Sequence, residues 1–113
     1  MQYEDFQINT KEGVNQLLLT KHPDSVIKGL LGAVNGVHDY EWVQSLCLSY
    51  CLHDDYWIAK TAINLIGDIS RVYGKINLEL VYNAFEKIND KNLIEEINQT
   101  KEDITIFVKG KST

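Results

Sequence analysis

Apolar residues recur at three- and four-residue steps along most of this chain, and short polar breaks divide them into helical segments. The clearest segment is 56–73. Ile58, Ala62, Leu65, Ile66, Ile69 and Val72 fall on one face. Asp54 or Asp55 suits the N-cap, because its carboxylate accepts from backbone N–H groups left without helical partners. Gly74 follows the last periodic residue, where a left-handed residue commonly closes a helix. The small residues Ala59, Ala62, Gly67 and Ser70 let a neighbouring helix come close.

The same reading applies in order along the chain. Residues 1–9 have no clear period and read as an arm or irregular lead. The stretch Thr10-Lys11-Glu12-Gly13 suits the start of a helix carrying Val14, Leu17 and Leu18, weakened by Gly13. Lys21-His22-Pro23-Asp24 is a break, and Asp24 or Ser25 caps the helix after it. That helix runs from about Val26 to Val34, with Ile27, Leu30, Leu31 and Val34 as its stripe and Gly36 as its end. Asp39 then caps the most apolar helix, Tyr40 to Leu52, which needs burial on more than one side. Beyond Gly74, Asn77 or Lys75 opens a helix with Leu78, Val81, Ala84, Phe85 and Ile88 inward. Leu93, Ile94 and Ile97 form a short helix, ended by a break at Asn98-Gln99-Thr100. Thr100-Lys101-Glu102-Asp103 reads as a new helix start, with Ile104, Phe107 and Val108 inward. Residues Gly110 to Thr113 form a fraying tail.

Six or seven helices with short connections predict an all-α fold of antiparallel helical hairpins stacked as a short α-solenoid. At 113 residues, a single domain over 1–113 is expected. The apolar fraction of 44% and charged fraction of 24% are those of an ordinary globular protein. No apolar run is long enough for a membrane helix, and the acidic start Met1-Gln2-Tyr3-Glu4-Asp5 lacks the features of a signal peptide. A cytoplasmic location is therefore expected. The net charge of −5 argues against a binder that neutralises phosphates, and suits a basic protein partner. Cys47 and Cys51 share a helical face and read as small core residues, since no zinc-site spacing accompanies them.

The segment Trp42–Ile69 resembles a HEAT-type repeat: a first helix at Tyr40–Leu52, a turn at His53-Asp54-Asp55, and a second helix at Tyr56–Tyr73. Ile58 stands in the valine slot of such second helices, Ala62 in the alanine slot, and Ile66-Gly67 in the leucine–glycine slot. Ala59 replaces the usual arginine. Over most of its length the chain also resembles the small HEAT-like immunity proteins of bacterial toxin systems, including contact-dependent growth inhibition. The residues behind this likeness are Trp42-Val43-Gln44, Leu46-Cys47-Leu48, His53-Asp54-Asp55, Ile66-Gly67-Asp68-Ile69-Ser70-Arg71 and Glu102-Asp103-Ile104-Thr105-Ile106-Phe107. The resemblance implies a HEAT-like solenoid that blocks a cognate toxin by direct binding.

Candidate chemistry is sparse. His22, His38 and His53 lie beside Asp or Pro in turns, with no nucleophile motif to partner them. No catalytic, cofactor or metal site is expected. The expected contacts are with a partner: Asp39, Tyr40, Glu41, Asp54, Asp55, Tyr56, Trp57, Asp68 and Arg71 form an acidic, aromatic set. Turn-and-cap service accounts for many of the same carboxylates, and Asp68 and Arg71, three apart on one helix, can pair with each other. The favoured function is neutralisation of a basic toxin domain, with a nuclease the natural case because its substrate channel is positive. An interaction adaptor with an unrelated partner is the alternative, and a small helical enzyme or metal protein using the histidines or carboxylates is a third. Neither nucleic acid nor membrane is expected as a direct partner, and weak self-association stays open.

Overall fold

The computed structural model describes residues 9–108. The expected lead within 1–8 and the tail at 110–113 lie outside the described residues. Six α-helices account for nearly all regular structure there: α1 (Lys11–Leu19), α2 (Pro23–Gly36), α3 (Tyr40–Tyr50), α4 (Tyr56–Tyr73), α5 (Leu78–Glu86) and α6 (Ile94–Phe107). A 3-10 turn, Lys91–Leu93, leads into α6. No strand occurs among the described residues.

Helix α4 is the element that its neighbours share. It packs against α2, α3 and α6. At 18 residues it is about 27 Å long, and Ile58, Ala59, Ala62, Ile63, Leu65, Ile66, Ile69 and Ser70 are all buried. A single stripe would leave half the girth in water. Burial of both Ile63 and Ile66, and of Ala59 and Ala62, instead requires neighbours on several sides. Gly67 marks a close approach: a Cβ there would lie 3.3 Å from Asp103 Oδ2 and 3.6 Å from Thr100 Cγ2, on α6. Helix α1 packs chiefly on α2, and α5 touches α3. The Cα envelope is a slab of 43 × 29 × 17 Å.

The helix ends follow local chemistry. Asp55 settles the choice at the start of α4: its Oδ1 accepts from Trp57 N at 2.9 Å and Ile58 N at 3.1 Å. Gly74, at φ 69°, closes the helix, donating from its N–H to Ser70 O at 2.8 Å. Asp39 caps α3 and Asn77 caps α5, each through its side-chain oxygen. Thr10 caps α1 by accepting from Gly13 N.

The structure departs from the sequence pattern at several places. Helix α2 begins at Pro23, ahead of the expected Val26, so neither Asp24 nor Ser25 is its cap. Proline at the first helical position has φ already set and no N–H to satisfy. Helix α3 ends at Tyr50, leaving Leu52 exposed. The expected break at Asn98-Gln99-Thr100 does not occur, and α6 runs through it. Thr100 is buried there, and its Oγ1 donates to Ile63 O on α4 at 3.2 Å. A hydroxyl read as a cap is thus spent across the helix contact. Leu31, Val72 and Phe107 are exposed despite lying on their helices' apolar stripes.

The contrast within α4 is testable by urea denaturation. Ile66→Ala, at a fully buried position, is expected to cost about 2–5 kcal/mol. Val72→Ala, on the same stripe but 57% exposed, is expected to shift stability by less than about 0.5 kcal/mol.

Candidate functional site

The sequence-predicted contact residues fall into groups at different places along α4. Tyr40, the first residue of α3, meets Tyr73, the last of α4, edge-on at 5.3 Å. The short connection 51–55 joins the opposite ends of these helices. Asp39, Tyr40 and Glu41 therefore lie at one end of α4, and Asp54, Asp55, Tyr56 and Trp57 at the other, about 27 Å away. Asp68 and Arg71 lie nearer the first group and pair with each other at 3.2 Å.

At the Asp39 end Asp39 is already engaged, whereas Glu41 is exposed and makes no hydrogen bond or ion pair among the described residues. Asp39 Oδ1 accepts from Trp42 N at 3.2 Å, and Oδ2 accepts from Lys11 Nζ at 2.7 Å. The Lys11 contact and the cap bond together hold the Asp39 carboxyl below its ordinary value of 3.8. Lys11 also lies over the Trp42 ring, and Lys75 over the Tyr40 ring at 4.5 Å. Burial, and then the neighbouring Glu41 carboxylate, push the Tyr40 phenol up. The Tyr40 hydroxyl donates to Gln44 Oε1 at 3.1 Å. Gln44 Oε1 also accepts from Asn77 N at 2.7 Å, tying α3 to the start of α5. Gln44 is buried and is a structural residue that periodicity alone does not single out.

At the Trp57 end the arrangement is different. The Trp57 side chain is 60% exposed, though it sits on the first turn of the central helix. Its ring meets Tyr56 edge-on at 4.9 Å. Lys60 Nζ lies 5.1 Å from the Trp57 ring and 5.8 Å from the Tyr56 ring, and reaches Glu96 Oε2 on α6 at 3.7 Å. A cation over an aromatic face favours one orientation of the ring. The turn before it is also fixed: His53 Nδ1 accepts from Asp55 N at 2.9 Å, and the His53 ring stacks on Tyr50. Asp55 is occupied as the cap. Asp54 is exposed and makes no hydrogen bond or ion pair among the described residues. Lys60 was missed from the sequence, although its spacing of four from Tyr56 and three from Trp57 puts it beside both rings. Glu96 carries no such local signal.

No group of three or more His, Cys, Asp or Glu among the described residues is placed to hold a metal ion. No helix there is long and apolar enough to cross a membrane. Cys47 and Cys51 are buried without a disulfide. Burial, followed by the nearby Cys51 and Asp68, pushes the Cys47 thiol up to about 12. Burial likewise lifts Cys51 to about 11.

Two measurements follow from these settings. Both thiols are expected to resist a disulfide-exchange reagent at pH 8 in the native protein and to react fully in urea, because the thiolate is the nucleophile. Fast native-state reaction at either cysteine would contradict the burial. In an NMR titration, Lys11→Gln should move the Asp39 carboxyl toward 3.8 from below, with the Trp42 N–H keeping it short of that value. Since the folded-state value is the lower one, the Asp39 contribution to stability is present above pH 3.8. It is lost as the pH falls through the folded-state value.

Compared with protein-family models, curated proteins and solved structures, the chain has no match.

Proposed function

We propose that this chain is a protein-binding module, a short HEAT-like solenoid that neutralises a cognate toxin domain by covering its active site. The observation that carries the binding reading is Trp57. An indole that is 60% exposed on the most buried helix costs apolar hydration and adds little to the core. Tyr56 and Lys60 hold it in place, and its neighbours in the chain are the carboxylates of the 53–55 turn. Pre-ordered aromatic anchors of this kind are typical of interface hot spots.

The helix contacts support the solenoid reading. Helices α2 and α6 both pack on α4, while α1 and α3 pack on α2 and α4 respectively, and α5 reaches α3. Two successive pairs, α1–α2 and α3–α4, thus pack as such a solenoid requires, and α2, α4 and α6 form one row. The toxin reading rests on the family resemblance and on charge. A chain of net charge −5 with an unpaired Asp54 beside an aromatic anchor suits a basic channel such as that of a nuclease. The contact centres on Asp54, Asp55, Tyr56, Trp57 and Lys60. A standard interface, about 800 Å² per partner, is broad enough to extend toward Asp68 and Arg71, which continue the face of Trp57 and Asn64 along α4.

Pull-down from native cells, followed by affinity measurement with the recovered partner, tests the proposal. A single stoichiometric, basic toxin domain is expected. Trp57→Ala should weaken its binding by about 2 kcal/mol or more. Asp54→Lys should weaken it more at low salt than at high salt, and spares the Asp55 cap. Unchanged affinity in both folded variants would remove this surface from the interface. A housekeeping protein as the stoichiometric partner would replace the toxin reading with an adaptor role.

A further inference from the structure

A second surface lies between α1 and α3 and includes His53. Helices α1 and α3 run in the same direction: Lys11, at the start of α1, bonds Asp39 at the start of α3, and the C-terminal halves of both helices line one cleft. The cleft has a volume of about 940 Å³. Leu18 and Leu19 form one wall, Leu46 and Tyr50 the other, and Val26 of α2 lies at the floor. Leu19 is 74% exposed, the highest value among the exposed large apolar side chains. The walls extend from Asn15 to Lys21 and from Leu46 to His53, roughly 10 Å, or two turns of helix.

Charge is asymmetric in this cleft. Lys21 and His53 lie at its turn end, and no carboxylate among the described residues lines it, in a chain that carries 16 acidic residues against 11 basic ones. None of the three ion pairs among the described residues includes Lys21. His53 Nδ1 is already an acceptor for Asp55 N, so the neutral ring carries its hydrogen on Nε2 and keeps one donor. Lys21 also sits at φ 60°, the one non-glycine residue at positive φ among the described residues. That is the left-handed position that commonly closes a helix, and the Lys21 N–H donates to Leu18 O at 3.2 Å.

We propose that this cleft seats an amphipathic helix of a partner protein, with two apolar side chains one turn apart between α1 and α3 and an acidic side chain against Lys21 and His53. Two parallel walls with an apolar floor form a helix-in-groove site. The cationic end sets the direction in which the guest lies. This surface is distinct from the Trp57 edge, and its occupancy does not depend on the toxin reading.

The probe is a helical peptide of about 16 residues, rich in alanine and glutamine, with leucines at i and i+4 and a glutamate one turn further. A control peptide has lysine in place of that glutamate. Amide shifts of the labelled protein are followed by two-dimensional NMR. The glutamate peptide should shift residues around Leu19, Leu46 and His53, and bind roughly three- to tenfold more tightly than the lysine peptide. Lys21→Asn, a residue that tolerates positive φ, should erase most of that preference while leaving the fold intact. Leu19→Ser should weaken both peptides, since the side chain is exposed and the fold does not need it. Equal binding of the two peptides, shifts centred on Trp57, or no shifts in a protein with a native spectrum would each overturn the proposal.

Discussion

The enclosure of α4 is the constraint on which the rest of the structure depends. One helix supplies apolar or small side chains to α2, α3 and α6 together. Apart from one solvated face carrying Trp57, Thr61, Asn64, Asp68 and Arg71, such a helix cannot meet water without exposing isoleucine, so its neighbours must close around the rest. The close approach of α6 at Gly67 follows from the same requirement. The Thr100 hydroxyl then finds an acceptor in Ile63 O, at a contact where an unpaired polar group would be costly. Core packing, a polar bond and a glycine thus meet within two turns of α4.

Helix α4 was legible from sequence because its signals were local. An acidic cap, a repeated stripe and a closing glycine all lie within the segment they define. The α5 start, narrowed to Asn77 or Lys75, and the Asp39 cap were legible for the same reason. Helix α6 was not, because Asn98, Gln99 and Thr100 look like a break when only neighbours in sequence are considered. Burial against α4 overrides that weak local preference. Val72 and Leu31 fail in the other direction: a stripe records which face can be buried, and neighbouring helices must extend far enough to cover it.

The candidate contact residues divide along a similar line. Trp57 and Tyr56 were visible as aromatics beside an acidic turn, and Asp68 with Arg71 as an i,i+3 pair. The separation between the 39–41 and 54–57 groups depends on where α3 begins and where it meets α4, which no motif encodes. The carboxylates also turned out to differ in availability. Asp39 and Asp55 are engaged by backbone N–H groups, and Asp39 by Lys11 as well, whereas Asp54 has no such engagement. A count of acidic residues therefore overstates the charge available to a partner.

Helix α1 has a weaker hold on the molecule than any description of a single core would imply. It rests chiefly on α2, where Leu17 and Leu18 press against Gly29, and reaches α3 through the exposed Lys11–Asp39 pair at its first turn. An exposed ion pair is a soft restraint. The opening free energy of this helix is accordingly set by one seam, not by the three that surround α4, so it forms a natural peripheral unit in a graded hierarchy of local unfolding. The wall of the α1–α3 cleft is thus its most adjustable side, anchored from behind by Val14 and Leu18, which reach into the same buried cluster as α4.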